Sequence, residues 1–385
     1  MEIVIVGAGP IGCCTAQLLK RSGIKARVIE EHKEIGKPVQ CAGIVGRQVF
    51  EDTLVGISKS SVINQINGAF FFYKEDNFRI KRDGVAYVID REKFDKELSK
   101  GLDIECGRRL LEIERRGKGY WLKTSSGDIF ADIVIGADGA KSRVRRFMMS
   151  ELGMLNKNKK DDLKEGIKDG IKYYNGWQYR IRLEENFVPA RFAQIWMSEG
   201  IPFFIWAIPE NEKIVRVGII SKNGRIKLNH FLAESKIKGE IIDKLAGIIP
   251  LGMIPKTSDK NIALVGDAAC HIKPLTGGGI YYGLKAAEIL VECIRESNLP
   301  DYDRRWKRKF GREIRLGLLA RKVYEILNKY ETENIFSLFK DNANFIEQTA
   351  NFENHSKLFR EIFKRPKMFV RASKILGRNI GKLIG

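Results

Sequence analysis

The chain has 385 residues, 44% of them apolar, and its 68 Lys and Arg residues exceed its 48 Asp and Glu residues to give a formal net charge of +20. This length and apolar content exclude global disorder and favour two interlocked domains, or one large domain with an appendage. The charge favours an anionic partner such as membrane headgroups, nucleic acid, a phosphorylated substrate or an acidic electron carrier.

Two further features exclude broad classes of protein. No segment approaches the roughly 20 uncharged apolar residues that span a bilayer, and the chain begins directly in a strand-like run, so we expect a cytoplasmic protein. The six cysteines include no CxxC pair and no Cys/His cluster with zinc spacing, which predicts reduced thiols and no metal.

The N-terminal segment predicts a βαβ unit. Residues 2–6 are a β-rich run, residues 10–22 a helix of small and apolar residues, and residues 26–29 a second strand that ends at Glu30. Residues 62–89 then change to short alternating segments, which indicates antiparallel strands inserted into the first domain. A helix beginning near Asp90 returns the chain to that domain.

The rest of the chain alternates between the two patterns. Residues 119–131 predict a hairpin with its turn at 125–128, residues 133–135 a buried strand, 156–168 an exposed connection, 170–222 more antiparallel strands, and residues beyond about 300 only helices. The predicted fold is therefore α/β: a Rossmann-type domain (1–61, 88–155 and 257–300), an interleaved antiparallel-sheet domain (62–87 and 156–256), and a basic helical C-terminal region (301–385).

The segment Gly7-Ala8-Gly9-Pro10-Ile11-Gly12 lies directly after a strand and opens a helix, which is the context of a dinucleotide fingerprint. Gly7 permits the tight turn, Gly9 lets the backbone approach a pyrophosphate, and Gly12 allows close packing of the helix. Glu30 can accept hydrogen bonds from a ribose diol. Since NAD and FAD share the ADP half, this motif alone does not choose between them.

Two later motifs favour FAD. Residues 136–145 (GADGAKSRVR) and 266–280 (GDAACHIKPLTGGGI) resemble those of the p-hydroxybenzoate hydroxylase-like flavoproteins. The resemblance implies that Asp267 holds the ribityl or pyrophosphate part, and that the helix after Gly279 directs its N-terminus at the flavin. For the Asp138 side chain a turn role is an equal alternative, and Asp267 has the alternative of a helix cap.

A shorter motif narrows the resemblance. Residues 37–43 (KPVQCAG) contain the PxxCxG signature of the geranylgeranyl reductase family, and residues 204–209 (FIWAIP) with Gly218 approximate its YxWxFP signature. Phe204 replaces the tyrosine and Ile208 the second aromatic residue. The resemblance covers roughly residues 1–300 and implies these cofactor contacts: Gly7, Gly9, Ile11, Gly12, Glu30, Cys41, Ala42, Arg91, Leu110, Asp138, Asp267, Gly278, Gly279 and Ile280.

Members of that family saturate isoprenoid double bonds, in archaea those of geranylgeranyl glycerophospholipids. The resemblance therefore implies hydride transfer from reduced flavin to an isolated alkene, with protonation of the other carbon, in an apolar tunnel. It assigns substrate contacts to Phe204, Trp206 and Pro209, although ordinary core packing is an alternative for any aromatic strand residue. Cys41 is the candidate catalytic residue, as proton donor or as a gate, and inert packing beside the ring is its alternative.

The C-terminal residues 357–385 carry nine basic side chains and one acidic one, Glu361. After Pro366 the cations Lys367, Arg371, Lys374, Arg378 and Lys382 follow a helical stripe that suits an anionic membrane surface. A solvated face on a packed helix explains the pattern equally well, and the lipid substrate implied by the resemblance favours peripheral membrane association.

Other functions have less support. An aromatic-type FAD monooxygenase shares the flavin motifs but not the PxxCxG segment, and a nucleic-acid-binding protein is disfavoured because no helix-turn-helix, zinc-finger or RNP pattern occurs. No second nucleotide fingerprint is present, so ferredoxin and NAD(P)H both stay open as the electron donor.

Overall fold

The computed structural model describes residues 1–154 and 170–376. The predicted connection 156–168 and the cations Arg378 and Lys382 lie outside these residues. Among the residues described, no helix has the length and apolar character needed to cross a bilayer.

The described residues form three sheets and a set of covering helices. The strands are β1 (Ile3–Val6), β2 (Arg27–Glu30), β3 (Ile44–Gly46), β4 (Val62–Tyr73), β5 (Asp76–Ile89), β6 (Ile104–Cys106), β7 (Leu110–Arg116), β8 (Gly119–Thr124), β9 (Ile129–Ala131), β10 (Ile133–Gly136), β11 (Lys172–Leu183), β12 (Ala193–Trp196), β13 (Ile205–Pro209), β14 (Ile214–Ile220), β15 (Gly239–Leu251), β16 (Ser258–Asp259) and β17 (Ile262–Leu264). The helices are α1 (Pro10–Arg21), α2 (Gln48–Glu51), α3 (Arg91–Ser99), α4 (Arg143–Glu151), α5 (Gly224–Glu234), α6 (Ile280–Arg295), α7 (Tyr302–Ile326), α8 (Lys329–Asp341), α9 (Ala343–Thr349), α10 (Ser356–Phe363) and α11 (Pro366–Leu376).

The first sheet is six-stranded, in the order β16-β17-β10-β1-β2-β6, and only β16 pairs antiparallel. Its central strands are buried throughout, as expected for parallel strands covered on both faces. Helices α1, α3 and α6 cover one face, while α4 and the small sheet β7-β8-β9 cover the other. Because the strand order reverses at β1, a crevice forms where β1 and β10 end, and such crevices bind ligands in open α/β sheets.

The second sheet has eight strands in the order β15-β11-β14-β13-β12-β4-β5-β3, all antiparallel except the β12–β4 pair. The predicted antiparallel strands of residues 62–89 are the hairpin of β4 and β5. Helix α5 and strand β15, which lie between residues 222 and 256, were not predicted from the sequence. Only two residues of α5 and two of β15 are buried, so neither segment has a strong apolar period.

Helices α7 to α11 follow the sheet domains, so the predicted helical C-terminal region is confirmed. Helices α8 and α9 pack on the second sheet: Phe336 of α8 contacts the rings of Tyr73 and Phe78, and Lys81 N–H donates to Glu347 of α9 at 2.6 Å. Together, the sheets and helices confirm the predicted α/β class with an interleaved antiparallel sheet.

Candidate active site

The glycine-rich turn after β1 leaves the N-terminus of α1 open. Gly7 has φ +103°, and a Cβ at this position would overlap the carbonyl oxygen of Ala137, which follows β10. A Cβ on Gly12 would overlap the carbonyl of Gly7, whereas one on Gly9 would meet nothing within 4 Å. No side chain caps α1 and its first turn has no acidic residue, so its free amides suit an anionic ligand.

Glu30 ends β2 beside this turn. Its Oε2 accepts a hydrogen bond from Ala8 N–H (2.7 Å), and its Oε1 accepts one from His32 N–H (2.9 Å). These bonds fix the carboxylate at the edge of the crevice. Oε1 also lies 2.6 Å from His32 Nδ1, so Oε2 is the oxygen that retains a lone pair for a ribose hydroxyl.

The Asp138 carboxylate is engaged within the protein. It accepts hydrogen bonds from Ser142 Oγ (2.5 Å), Arg143 N–H (2.7 Å) and Val144 N–H (3.2 Å), so it organises the start of α4. Burial raises the pKa of this carboxyl group. The sequence left two roles open for the Asp138 side chain, a cofactor contact and a turn residue, and its hydrogen bonds are those of a turn residue. The backbone of this turn lies at the crevice. Leu110, at the start of β7, is buried and faces the same space.

Asp267 faces the crevice from the turn after β17. Among the described residues no group donates a hydrogen bond to its carboxylate, and burial raises the pKa to about 6 against the opposing charges of Arg91 and Arg145. It does not cap a helix. An unsatisfied carboxylate in a ligand-sized space suits a hydroxyl-rich ligand such as a ribityl chain. Gly279 precedes α6, whose N-terminus also has no side-chain cap.

The segment 41–43 is held from two sides. Gly43 N–H lies 3.4 Å from Cys41 Sγ and donates to it, and Arg91 also contacts the Cys41 thiol. Arg91 is fixed in turn by a bidentate pair with Asp95 (3.2 and 2.9 Å). In contrast, burial raises the pKa of the Cys13 and Cys14 thiols, so both are unreactive packing groups.

Arg216 is a site residue that the sequence analysis missed. From β14 its Nη1 donates to the carbonyls of Ala42 (2.9 Å) and Ile89 (3.2 Å), so the second sheet directly holds the cysteine segment. Gly43 has φ +70°, and a Cβ there would overlap the Arg216 guanidinium, which explains why a glycine follows Cys41 and Ala42. No short motif surrounds Arg216, and only the position of β14 brings it here.

The charge of Arg216 is balanced by Glu210, which is nearly inaccessible to solvent. Glu210 Oε1 accepts from Arg216 Nε (2.7 Å), and both carboxylate oxygens accept from Arg180. Burial alone raises the pKa of Glu210, but hydrogen bonds from Arg180 and the charge of Arg216 outweigh it and hold the pKa below its ordinary value. Glu210 therefore stays ionised at neutral pH.

Trp206 and Phe204 lie on the apolar part of the space. The Trp206 indole is buried, donates through Nε1 to Gln178 Oε1 (2.9 Å), and meets the Phe204 ring edge to face at 6.2 Å. Its register partner on β14 is Gly218, where a Cβ would overlap the indole ring. The glycine thus makes room for the tryptophan.

The C-terminal helices form one wall of this space, and this wall was not predicted from the sequence. Apolar residues of α7, α8 and α9 face the sheet across the space, among them Leu316, Ile335, Phe339 and Ile346. A buried ion pair fastens this wall to the turn before α6, because Lys273 Nζ lies 2.8 Å from Glu353 Oε2.

These parts enclose one continuous cavity of about 1680 Å³. This volume exceeds the roughly 300–1,000 Å³ of a typical small-molecule site, so it can hold a cofactor and a second ligand together. Thirteen of the predicted cofactor residues line it: Gly7, Gly9, Ile11, Glu30, Cys41, Ala42, Arg91, Leu110, Asp138, Asp267, Gly278, Gly279 and Ile280. Phe204 and Trp206 also line it, whereas Gly12 and Pro209 lie behind its wall.

Comparison with known proteins connects this geometry to flavoproteins. Residues 1–49 match the model of an FAD binding domain. An uncharacterised protein of Methanocaldococcus jannaschii is 32% identical, with 94% of this chain and 95% of that protein covered. Digeranylgeranylglycerophospholipid reductase 1 of Methanococcoides burtonii is 28% identical, with 88% of each covered.

Among solved structures, a geranylgeranyl bacteriochlorophyll reductase-like protein from Thermoplasma acidophilum superposes with a TM-score of 0.77 at 21% identity, over 97% of this chain and 98% of that one. At this identity the superposition establishes a shared fold. The sequence matches and the glycine-rich turns at the crevice agree that the cofactor is FAD.

Proposed function

The chain belongs to the geranylgeranyl reductase family of FAD-dependent oxidoreductases, and from this premise we propose that it saturates isoprenoid C=C bonds of geranylgeranyl lipids that are precursors of archaeal membrane phospholipids. One observation carries the proposal: the turns that suit FAD and an apolar branch lined by Trp206, Phe204 and the C-terminal helices belong to the same cavity. An apolar chain in that branch would lie against the cofactor end.

Each end of the cavity has a distinct task in this proposal. The amides at the start of α1 would hold the pyrophosphate, Glu30 the ribose, Asp267 the ribityl chain, and the N-terminus of α6 the flavin ring. When bound, reduced FAD supplies the hydride equivalent. The apolar branch would align the prenyl chain and exclude water, and Gln178 keeps the Trp206 ring in a fixed orientation through its hydrogen bond.

Reduction of an isolated alkene also requires a proton at the second carbon. We place that proton on Cys41 Sγ, because this thiol lines the cavity between the cofactor turns and the apolar branch. Gly43 N–H and Arg91 orient the sulfur, and Arg216 fixes the backbone that carries it. A Cys41→Ala variant with normal FAD content and full activity would exclude this role.

The electron donor and the location of the enzyme complete the proposal. A positive surface suits a reduced ferredoxin, and transient NAD(P)H binding is the alternative. We further propose peripheral association with a membrane, since the substrate is a lipid. An aromatic-type monooxygenase remains the second candidate, because that class shares the fold. Consumption of oxygen coupled to NADPH oxidation would indicate it.

The decisive experiment is mass spectrometry of an unsaturated archaeal-type lipid after incubation with the dithionite-reduced protein. We expect successive mass increases of two hydrogens, one step for each double bond reduced. Protein with oxidised FAD and no reductant is the matched control. An unchanged lipid mass in the presence of fully reduced, FAD-loaded protein would contradict the proposed activity.

A further inference from the structure

Helix α7 has two chemically different faces. Its buried positions recur at helical spacing and are Tyr302, Trp306, Gly311, Ile314, Gly317 and Arg321. Its exposed positions are Arg304, Arg308, Lys309, Arg312, Arg315, Leu319 and Lys322. The exposed face therefore carries six cations, no anion and a single leucine. We call these seven residues the α7 stripe.

The three central arginines of the α7 stripe have no carboxylate partner among the described residues. Arg304 pairs with Asp301, but in the part of the chain that the structure describes, Arg308, Arg312 and Arg315 form no ion pair with a carboxylate. On α8, by comparison, the exposed Lys340 pairs with Asp76. Three arginines that follow one another along the helix without a carboxylate partner produce a positive field that favours an extended anionic surface.

The α7 stripe ends at an opening of the cavity. Leu319 is 52% exposed, yet it also lines the cavity together with Leu316, Ala320 and Val323. The cavity therefore reaches the surface beside the second half of α7. From Arg304 to Lys322 the stripe is about 27 Å long at the rise of an α-helix, so it extends from this opening along one side of the molecule.

We propose that the α7 stripe docks the enzyme on an anionic lipid bilayer, with the opening beside Leu319 turned towards the lipid. This inference rests on the proposed function, because a membrane lipid has to pass from the bilayer into the cavity. Lipid phosphates complement the cations, and an exposed leucine among them can enter the acyl boundary.

The described part of the C-terminal tail is less suited to this task than α7. Lys364 pairs with Glu361, and Arg371 pairs with Asp341 of α8 while also donating to Ser337. Arg371 thus holds α11 against α8, whereas Lys367 and Lys374 of the same helix are exposed. The α7 stripe is the better surface for a membrane because α7 also lines the cavity, through Leu319 among others, whereas no described residue of α11 does.

The test measures co-sedimentation of the full-length, FAD-loaded protein with vesicles of phosphatidylcholine that contain phosphatidylglycerol, and with vesicles of phosphatidylcholine alone. We expect binding to the anionic vesicles only, weakened by added salt. The triple variant Arg308→Gln, Arg312→Gln, Arg315→Gln should lower the partition coefficient about 100-fold, since each cation near anionic lipid contributes about a fivefold factor.

A matched variant removes three exposed cations of the tail: Lys364→Gln, Lys367→Gln, Lys374→Gln. It should retain most of the binding. The inference is overturned if the parent protein does not bind anionic vesicles, which is the result expected if the α7 stripe binds an acidic protein instead. It is also overturned if the α7 variant binds like the parent, or if both variants lose binding equally. Thermal melting and FAD content verify that each variant is folded.

Turnover separates this inference from the proposed function. The α7 variant should reduce a soluble short-chain prenyl substrate at the parental rate while losing activity towards vesicle-embedded lipid. If the parent binds vesicles through α7 but reduces neither substrate, the proposed function fails and the docking surface stands. If the parent reduces both substrates, and the α7 variant binds vesicles and reduces vesicle-embedded lipid as well as the parent does, only the docking surface is disproved and the proposed function stands.

Discussion

The cofactor end and the apolar end of the cavity are built in different ways. At the cofactor end, glycines bring backbone against backbone: a Cβ on Gly7 would strike the Ala137 carbonyl, and a Cβ on Gly12 the Gly7 carbonyl. At the apolar end, a Cβ on Gly218 would strike the Trp206 ring at 2.3 Å and, less closely, the Trp177 carbonyl oxygen at 2.8 Å. The backbone atoms of these turns cannot move aside without disturbing the ends of β1 and β10, whereas the Trp206 ring, which is the closest neighbour of Gly218, can shift at moderate cost. Substitution of a glycine at the cofactor end should therefore be strongly destabilising, whereas the apolar end should accommodate a substitution by moving side chains.

The largest effect is expected at Gly7. Gly7→Ala places a Cβ against Ala137 at φ +103°, so the apoprotein should lose about 3 kcal/mol of stability and FAD should no longer co-purify. In the matched variant Gly9→Ala the Cβ meets no protein atom, and apoprotein stability should change by less than about 0.5 kcal/mol. FAD affinity should still fall, because that Cβ occupies the space in front of α1. Urea unfolding and flavin absorbance measure the two effects.

Arg216, which links the two ends, should come next. Arg216→Met removes the donor to Ala42 and one partner of buried Glu210, so the variant should lose about 3 kcal/mol of stability. Its Cys41 thiol should also react faster with iodoacetamide, because the segment 41–43 is released. Arg180→Met, which removes the other partner of Glu210 without touching Ala42, should leave that alkylation rate unchanged. Equal rates in both variants would show that Arg216 does not position the cysteine.

Asp267 adds a pH dependence at the cofactor end. Its folded-state pKa, about 6, lies above the ordinary value of 3.8, so protonated Asp267 favours the fold. The stabilisation is complete below about pH 4 and is lost as the pH rises through 6, amounting to at most about 3 kcal/mol. Urea unfolding of the apoprotein across this range should show the decline, and Asp267→Asn should remove it. A decline of the same size in the variant would assign it to another group.

The smallest effect is expected at the apolar end. Gly218→Ala should displace the Trp206 ring and cost about 2 kcal/mol by overpacking. FAD content should stay normal, while the preference for prenyl chain length should shift. Gly176→Ala on neighbouring β11 is the control, since its Cβ would have 3.5 Å to the nearest atom. Loss of FAD from the Gly218→Ala variant would show that a change at the apolar end is transmitted to the cofactor end, which would contradict the view that the two ends respond separately.

The sequence by itself determined the cofactor end. A pyrophosphate turn needs glycines at fixed spacing between a strand and a helix, so residues 7–12 and 266–280 are legible as short motifs. Cys41 and Asp267 could also be predicted as site residues, since each belongs to a short motif with a characteristic spacing. The βαβ start and the helical C-terminal region followed from hydrophobic periodicity in the same way.

Only the tertiary structure decided what surrounds those motifs. Arg216 reaches Ala42 across 174 positions of sequence, and the wall from α7 to α9 faces the sheet through contacts that no local pattern encodes. Packing likewise decides that Asp138 accepts hydrogen bonds at the start of α4 and that Pro209 does not line the cavity. Motifs arise from neighbours along the chain, whereas an apolar cavity and its charged supports arise from residues that meet only after folding.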